Sequence, residues 1–160
     1  MAASAEREAL TLAPATFPSL SWFEHLTELM NASRARQEQL GYVDCVAGFR
    51  VTDAAGATRF EVEVTFEEFS ASGVRDVTAG GSNADFVLVA TLDTWREMIE
   101  SIAAGNGRPD LEHTLNRLSH MGTPMQLTGE DVLKTDLYFR YAQSLQEFFN
   151  ASARFETRFD

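Results

Sequence analysis

The chain has 160 residues, 44% of them hydrophobic and 23% charged, a balance that suits one globular domain and argues against disorder. Its formal net charge of −11 repels a phosphate backbone or an anionic bilayer at long range, so nucleic acid is excluded as a natural partner. No apolar run approaches the roughly 20 residues that span a bilayer, and the start lacks the basic and apolar regions of a signal peptide.

Those features, with a single Cys45 that has no internal disulfide partner, set the expectation of a cytoplasmic protein without stable membrane insertion. Of the 13 Lys and Arg only Lys134 is lysine, and with the abundant alanine this bias suggests a high-GC bacterial genome. Residues 1–18 carry Pro14 and Pro18 and read as a flexible N-terminal arm and an opening turn. Ser19 or Ser21 caps the helix that follows, in which Trp22, Phe23, Leu26, Leu29, Met30 and Leu40 recur at helical spacing until Gly41 closes it.

The period then changes to two. Val43, Cys45, Ala47, Phe49 and Val51 alternate with polar or small residues, Asp53-Ala54-Ala55-Gly56 turns, and Phe60, Val62, Val64 and Phe66 alternate with Glu61, Glu63, Thr65 and Glu67. This alternation puts the glutamates of the second strand on a wet face. A third, weaker strand runs from Ser70 to Thr78, and after the turn at Ala79–Asn83 the run Phe86–Leu92 is apolar on both faces, as in a strand inside a sheet. Thr94 with Glu97 forms a capping box for a helix with Trp95, Met98, Ile99 and Ile102 inward.

Beyond the break at Gly105–Pro109, Leu111, Leu115 and Leu118 mark a short helix, and Pro124–Thr128 a short strand. From Glu130 to Phe149 the chain reads as one helix with Val132, Leu133, Leu137, Tyr141, Leu145 and Phe148 inward, and the acids Glu130 and Asp131 at its positive end. The tail 151–160 is expected to fray. Grouped strands followed by helices make an α+β domain over residues 19–150, an antiparallel or mixed sheet of about five strands covered by helices on one side.

In this order of elements the chain resembles the sterol carrier protein type 2 (SCP2) family. The residues that carry the resemblance are Asn83–Leu92, the helix entered through Asp93-Thr94-Trp95-Arg96-Glu97-Met98, and the late Leu127-Thr128-Gly129-Glu130-Asp131 leading into a closing helix. The connection from Gly105 to Thr123 is longer than the family's, and its lysine-rich surface is missing. The resemblance implies a hydrophobic tunnel between sheet and helices that takes a sterol, fatty acid, acyl-CoA or similar apolar ligand, with no chemistry performed on it. Its walls would come from Phe49, Phe60, Val62, Val64, Phe86, Leu88, Trp95, Ile99, Leu137, Tyr141 and Phe148, each of which ordinary core packing would also place inside.

No cofactor, metal or catalytic residue is called. His113 and His120 share a stretch with Asp110 and Glu112, but a divalent ion needs three or four converging ligands and the leucines claim the inner face. Cys45 lies on an inward strand face without an activating neighbour, and Gly80-Gly81-Ser82 lacks the lysine of a phosphate-binding loop. Two other readings stand beside the carrier. An NTF2/SnoaL-like isomerase or cyclase would use Tyr42, Asp44 and Asp85 as acid–base groups in an apolar pocket. A dimerising or adaptor subunit would dock a homodimer mate or partner enzyme through Phe148, Phe149, Phe155 and Phe159.

Overall fold

The computed structural model describes residues 12–159; the expectations for residues 1–11 and Asp160 lie outside them. The first helix, α1 (Leu20–Ala32), starts where the Ser19 hydroxyl accepts the Trp22 amide and buries Trp22, Phe23, Leu26, Leu29 and Met30. It ends at Ser33, earlier than expected, and α2 (Arg34–Leu40) is a separate helix whose buried residue is Gln37. The reason lies in the sequence: between Met30 and Leu40 no large apolar side chain holds a continued α1 against the core.

Five strands form one sheet: β2 (Cys45–Thr52), β3 (Thr58–Glu67), β4 (Ser70–Asp76), β5 (Phe86–Thr91) and β6 (Gln126–Thr128), in the order β4-β3-β2-β5-β6. β5 runs parallel to β2 and every other pairing is antiparallel, so the sheet is mixed. β2 and β5 approach closely at Gly48, where a Cβ would meet the Val87 side chain at 2.9 Å. The inward residues of β2, β3 and β5 are apolar and buried.

The opposite face differs from expectation. Glu61 and Glu63 are only 8% and 6% exposed, because the strands beside them deliver cross-strand arginines. Arg50 is the register partner of Glu61 and donates to its carboxylate at 2.6 Å, and Arg75 sits opposite Glu63 and donates through Nε at 2.8 Å. The Asn83 amide adds a bond to Glu63 at 2.8 Å, so the 80–85 turn folds over this face.

The helical layer holds α3 (Leu92–Ala104), the short α4 (Leu115–Leu118), α5 (Val132–Thr135) and α6 (Leu137–Asn150). Thr91, not Thr94, caps α3 by accepting the Thr94 amide, so the helix begins inside the apolar run and strand passes directly into helix. Leu111 is exposed and takes no part in α4. The long C-terminal helix is broken at Asp136. Asp131 caps the single turn α5 by accepting the Leu133 amide, and Val132 and Leu133, expected inward, are 75% and 80% exposed. The tail does not fray: β7 (Thr157–Phe159) pairs in parallel with β1 (Ala15–Phe17), and Phe17 is fully buried.

Candidate ligand-binding site

The inner sheet face contributes Phe49, Phe60, Val62, Val64, Phe86 and Leu88, and across from it stand Trp95 and Ile99 of α3 with Tyr141 and Phe148 of α6. All ten are buried in one continuous cluster, and Leu137 is half-buried at its margin. The rings are in contact. Phe49 stacks on Phe23 at 5.8 Å and on Phe148 at 6.5 Å between centroids, and meets Trp95 edge-on at 6.2 Å. Trp95 is fixed by its indole N–H, which donates to the Arg50 carbonyl at 3.0 Å.

Two residues outside the expected set hold the centre. Phe149 lies within ring contact of Trp22, Phe23, Phe49, Trp95 and Phe148, and Phe23 bridges Phe49 and Phe60 from α1. Phe149 was legible, being four residues after Leu145 on the same helical face. Phe23 belongs to the apolar stripe of α1, and only the packing of that helix on the sheet brings it to this centre.

Beside this interior a groove of about 260 Å³ opens between α1, α2, the 105–108 turn and the end of α6 with the 3-10 turn Ala151–Arg154. Leu29, Met30 and Phe148 form its apolar lining, and Arg36, Arg108, Arg154 and Glu147 its charged lining. The turn that presents Arg108 depends on glycine: Gly107 has φ +103°, and a Cβ on Gly105 would stand 1.9 Å from the Arg108 carbonyl oxygen. Phe148 is shared, since the same ring that lines the groove packs edge-on to Phe66 at 5.2 Å and is 1% exposed.

A second cleft, of about 680 Å³, lies on the outer sheet face between the 82–85 and 128–134 segments, lined by Arg50, Glu61, Asp85 and Lys134 among others. Three of these charges serve the fold. Arg50 pairs with Glu61, and the Asp85 carboxylate accepts the Val46 amide at 2.8 Å. Tyr42 is exposed and packs on Phe69, away from any apolar enclosure.

Burial, with the nearby charges of Asp85 and Asp44, pushes the Cys45 thiol up to about 12, so it carries no nucleophilic thiolate at neutral pH. Burial likewise raises the Tyr138 phenol, which shares a 2.8 Å hydrogen bond with Ser119. The hydrogen bond from His113 holds Asp110 below the ordinary carboxylate value, at 2.7 Å. Among the described residues no three of His, Cys, Asp and Glu gather where they could hold a metal ion, and no helix is long and apolar enough to cross a membrane. The four tail phenylalanines expected to dock a partner pack on the chain itself, Phe148 and Phe149 in the core, Phe155 on Trp22 and Phe159 on Phe17.

No protein-family model matches the chain, and no curated protein matches it in sequence. In structure it is similar to crystalline sterol carrier protein 2, with TM-score 0.60 and 20% identity over 84% of this chain and 95% of that one. It is also similar to a conserved hypothetical protein from Thermus thermophilus, designated a possible sterol carrier protein, with TM-score 0.58 and 20% identity over 84% and 88% of the two chains. The chain therefore has the SCP2 fold, which removes the cone-shaped NTF2-like alternative, whose closing strands are here replaced by α6.

Proposed function

We propose that the protein binds a hydrophobic small molecule of the lipid, sterol, fatty acid or acyl-CoA type between its sheet and helices, and carries it without chemical turnover. The observation that supports this best is the double position of Phe148, which is both the lining of a solvent-open groove and a member of the aromatic interior. A ligand in the groove has one ring between it and the aromatic interior of Phe49, Phe66 and Phe149. Burying its apolar surface there is worth about 25 cal/mol per Å² before the costs of association. Of the two structures of this fold, one is a sterol carrier protein 2 and the other is designated a possible sterol carrier protein.

The walls favour holding over reacting. Of the eleven wall candidates only Tyr141 carries an ionisable group, and the rest offer neither a proton nor a nucleophile. Native mass spectrometry of the purified protein, beside a denatured and solvent-extracted control, is expected to show a bound apolar species released on denaturation. A bare mass, together with failure of a fluorescent fatty acid to bind at micromolar concentration, refutes the reading.

A further inference from the structure

The rim of the groove runs against the charge of the whole protein. On a chain of net charge −11, Arg36, Arg108 and Arg154 line one opening whose lining holds a single carboxylate, Glu147. Arg36 donates to Glu147 at 3.3 Å, which uses that acid. Arg108 and Arg154 take part in no ion pair among the described residues, unlike Arg34, Arg50, Arg75, Arg96, Arg117 and Arg158, each of which has an acidic partner. Two arginines without an ion pair therefore line the same small volume.

The same groove is lined by a polar side chain without a hydrogen-bond partner among the described residues. Gln37 is 4% exposed and lines the groove, and its side-chain amide makes no hydrogen bond among the described residues. Its amide atoms are not among the buried polar atoms left without a partner, so they keep contact with solvent, and a ligand oxygen accepting from the N–H would take the place of water. The apolar part of the lining, Leu29, Met30 and Phe148, is buried. The lining thus combines exposed cations, a nearly buried amide and buried hydrocarbon.

From this combination we propose that the groove is a headgroup site for a single-chain amphiphile ending in a carboxylate or phosphate, oriented with its anion between Arg108 and Arg154 and its chain toward Phe148. The proposal rests on the carrier reading above and adds the charge and orientation of what is carried. A volume of about 260 Å³ takes an anionic head and the first few methylenes. A longer chain continues past Phe148. A guanidinium binds either anion through paired N–H donors, so the two heads share one recognition chemistry.

The test is a binding series on the full-length protein with decanoate, decyl phosphate, decanol and inorganic phosphate, by calorimetry or displacement of a fluorescent probe. Wild type is expected to prefer decanoate or decyl phosphate over decanol by about tenfold, with the preference shrinking as salt rises. In the double variant Arg108→Gln, Arg154→Gln the preference should fall toward unity while decanol affinity is unchanged. Both arginines are exposed, so the variant should melt as wild type does. Gln37→Leu should weaken anion and alcohol together, because both heads accept from the amide. Equal binding of decanoate and decanol by wild type overturns the headgroup site and leaves the carrier reading standing. Inorganic phosphate bound as tightly as decyl phosphate also overturns it, since the chain then adds nothing. Binding of none of the four overturns both readings.

Discussion

Phe148→Ala separates packing from gating. The ring is 1% exposed and touches Phe66, Phe149 and Phe49 at 5.2, 5.6 and 6.5 Å between centroids. Replacing a core Phe with Ala costs about 3–5 kcal/mol, the spread reflecting how well the site can collapse. Here one side of the ring borders the groove, where water and neighbouring side chains can move in, so the low end applies, about 3 kcal/mol. For a domain of this size each kcal/mol shifts the midpoint by about 2–4 °C, so melting should drop by about 6–12 °C. Urea unfolding followed by the fluorescence of the fully buried Trp22 and Trp95 measures the loss directly, with an unchanged m-value. The variant also joins the groove to the interior. Wild type must expose the Phe148 ring to admit a chain, at about 1.5–3 kcal/mol, so the variant should bind decanol roughly tenfold to a hundredfold more tightly. Ligand at a hundred times its Kd would then return about 2.7 kcal/mol of the lost stability. A stability loss under about 1 kcal/mol refutes the packing argument, and unchanged decanol affinity refutes the gate.

Three further outcomes follow from the same geometry. Cys45 should resist iodoacetamide in the native state at pH 8 and react once unfolded; an unfolded thiol ionises near 8.5 while the folded one keeps its proton to about 12, so stability should fall as pH rises through that window, less steeply in Cys45→Ala, and rapid native alkylation would contradict the burial. Gly105→Ala brings a Cβ to 1.9 Å from the Arg108 carbonyl oxygen, and should cost about 1–3 kcal/mol in a thermal melt and erase the preference for anionic heads; a variant with native melting and native preference would show the turn is not what aims Arg108. Glu63→Ala strips partners from the Asn83 amide and the half-exposed Arg75, and should cost about 1–2 kcal/mol in urea with faster hydrogen exchange at Asn83, whereas unchanged exchange would mean the 80–85 turn is held by something else.

The order of elements was legible because each carries its own period. β2 and β3 alternate, and the stripes of α1, α3 and α6 recur at three and four residues, so the α+β class and the inward face of each element follow from local pattern. What failed was set by tertiary partners. Val132 and Leu133 fit the stripe of the helix they precede, yet the Asp131 cap and the break at Asp136 turn them outward. The pairing of β1 with β7 joins three residues from each end of the described chain, and strands that short have no period to read.

The two faces of the sheet show the same ambiguity in opposite chemistry. Alternation assigns Glu61 and Glu63 to one face and Val62 and Val64 to the other, and both assignments hold. Alternation does not say what stands across from a face. Glu61 and Glu63 could lie in water; Arg50 and Arg75, brought by register from the two neighbouring strands, cover their carboxylates with partly exposed guanidinium groups instead. Phe49 and Phe60 could line an open tunnel; Phe23, Phe148 and Phe149, brought by two helices, close it with rings. A strand pattern fixes the polarity of a wall, and the residues that arrive from distant elements decide whether that wall bounds a space or fills one. The groove follows from the same rule: at α2 the large apolar residues run out, the helical layer stops short of sealing the domain, and Phe148 is left as the one ring with the core on one side and an arginine-rimmed opening on the other.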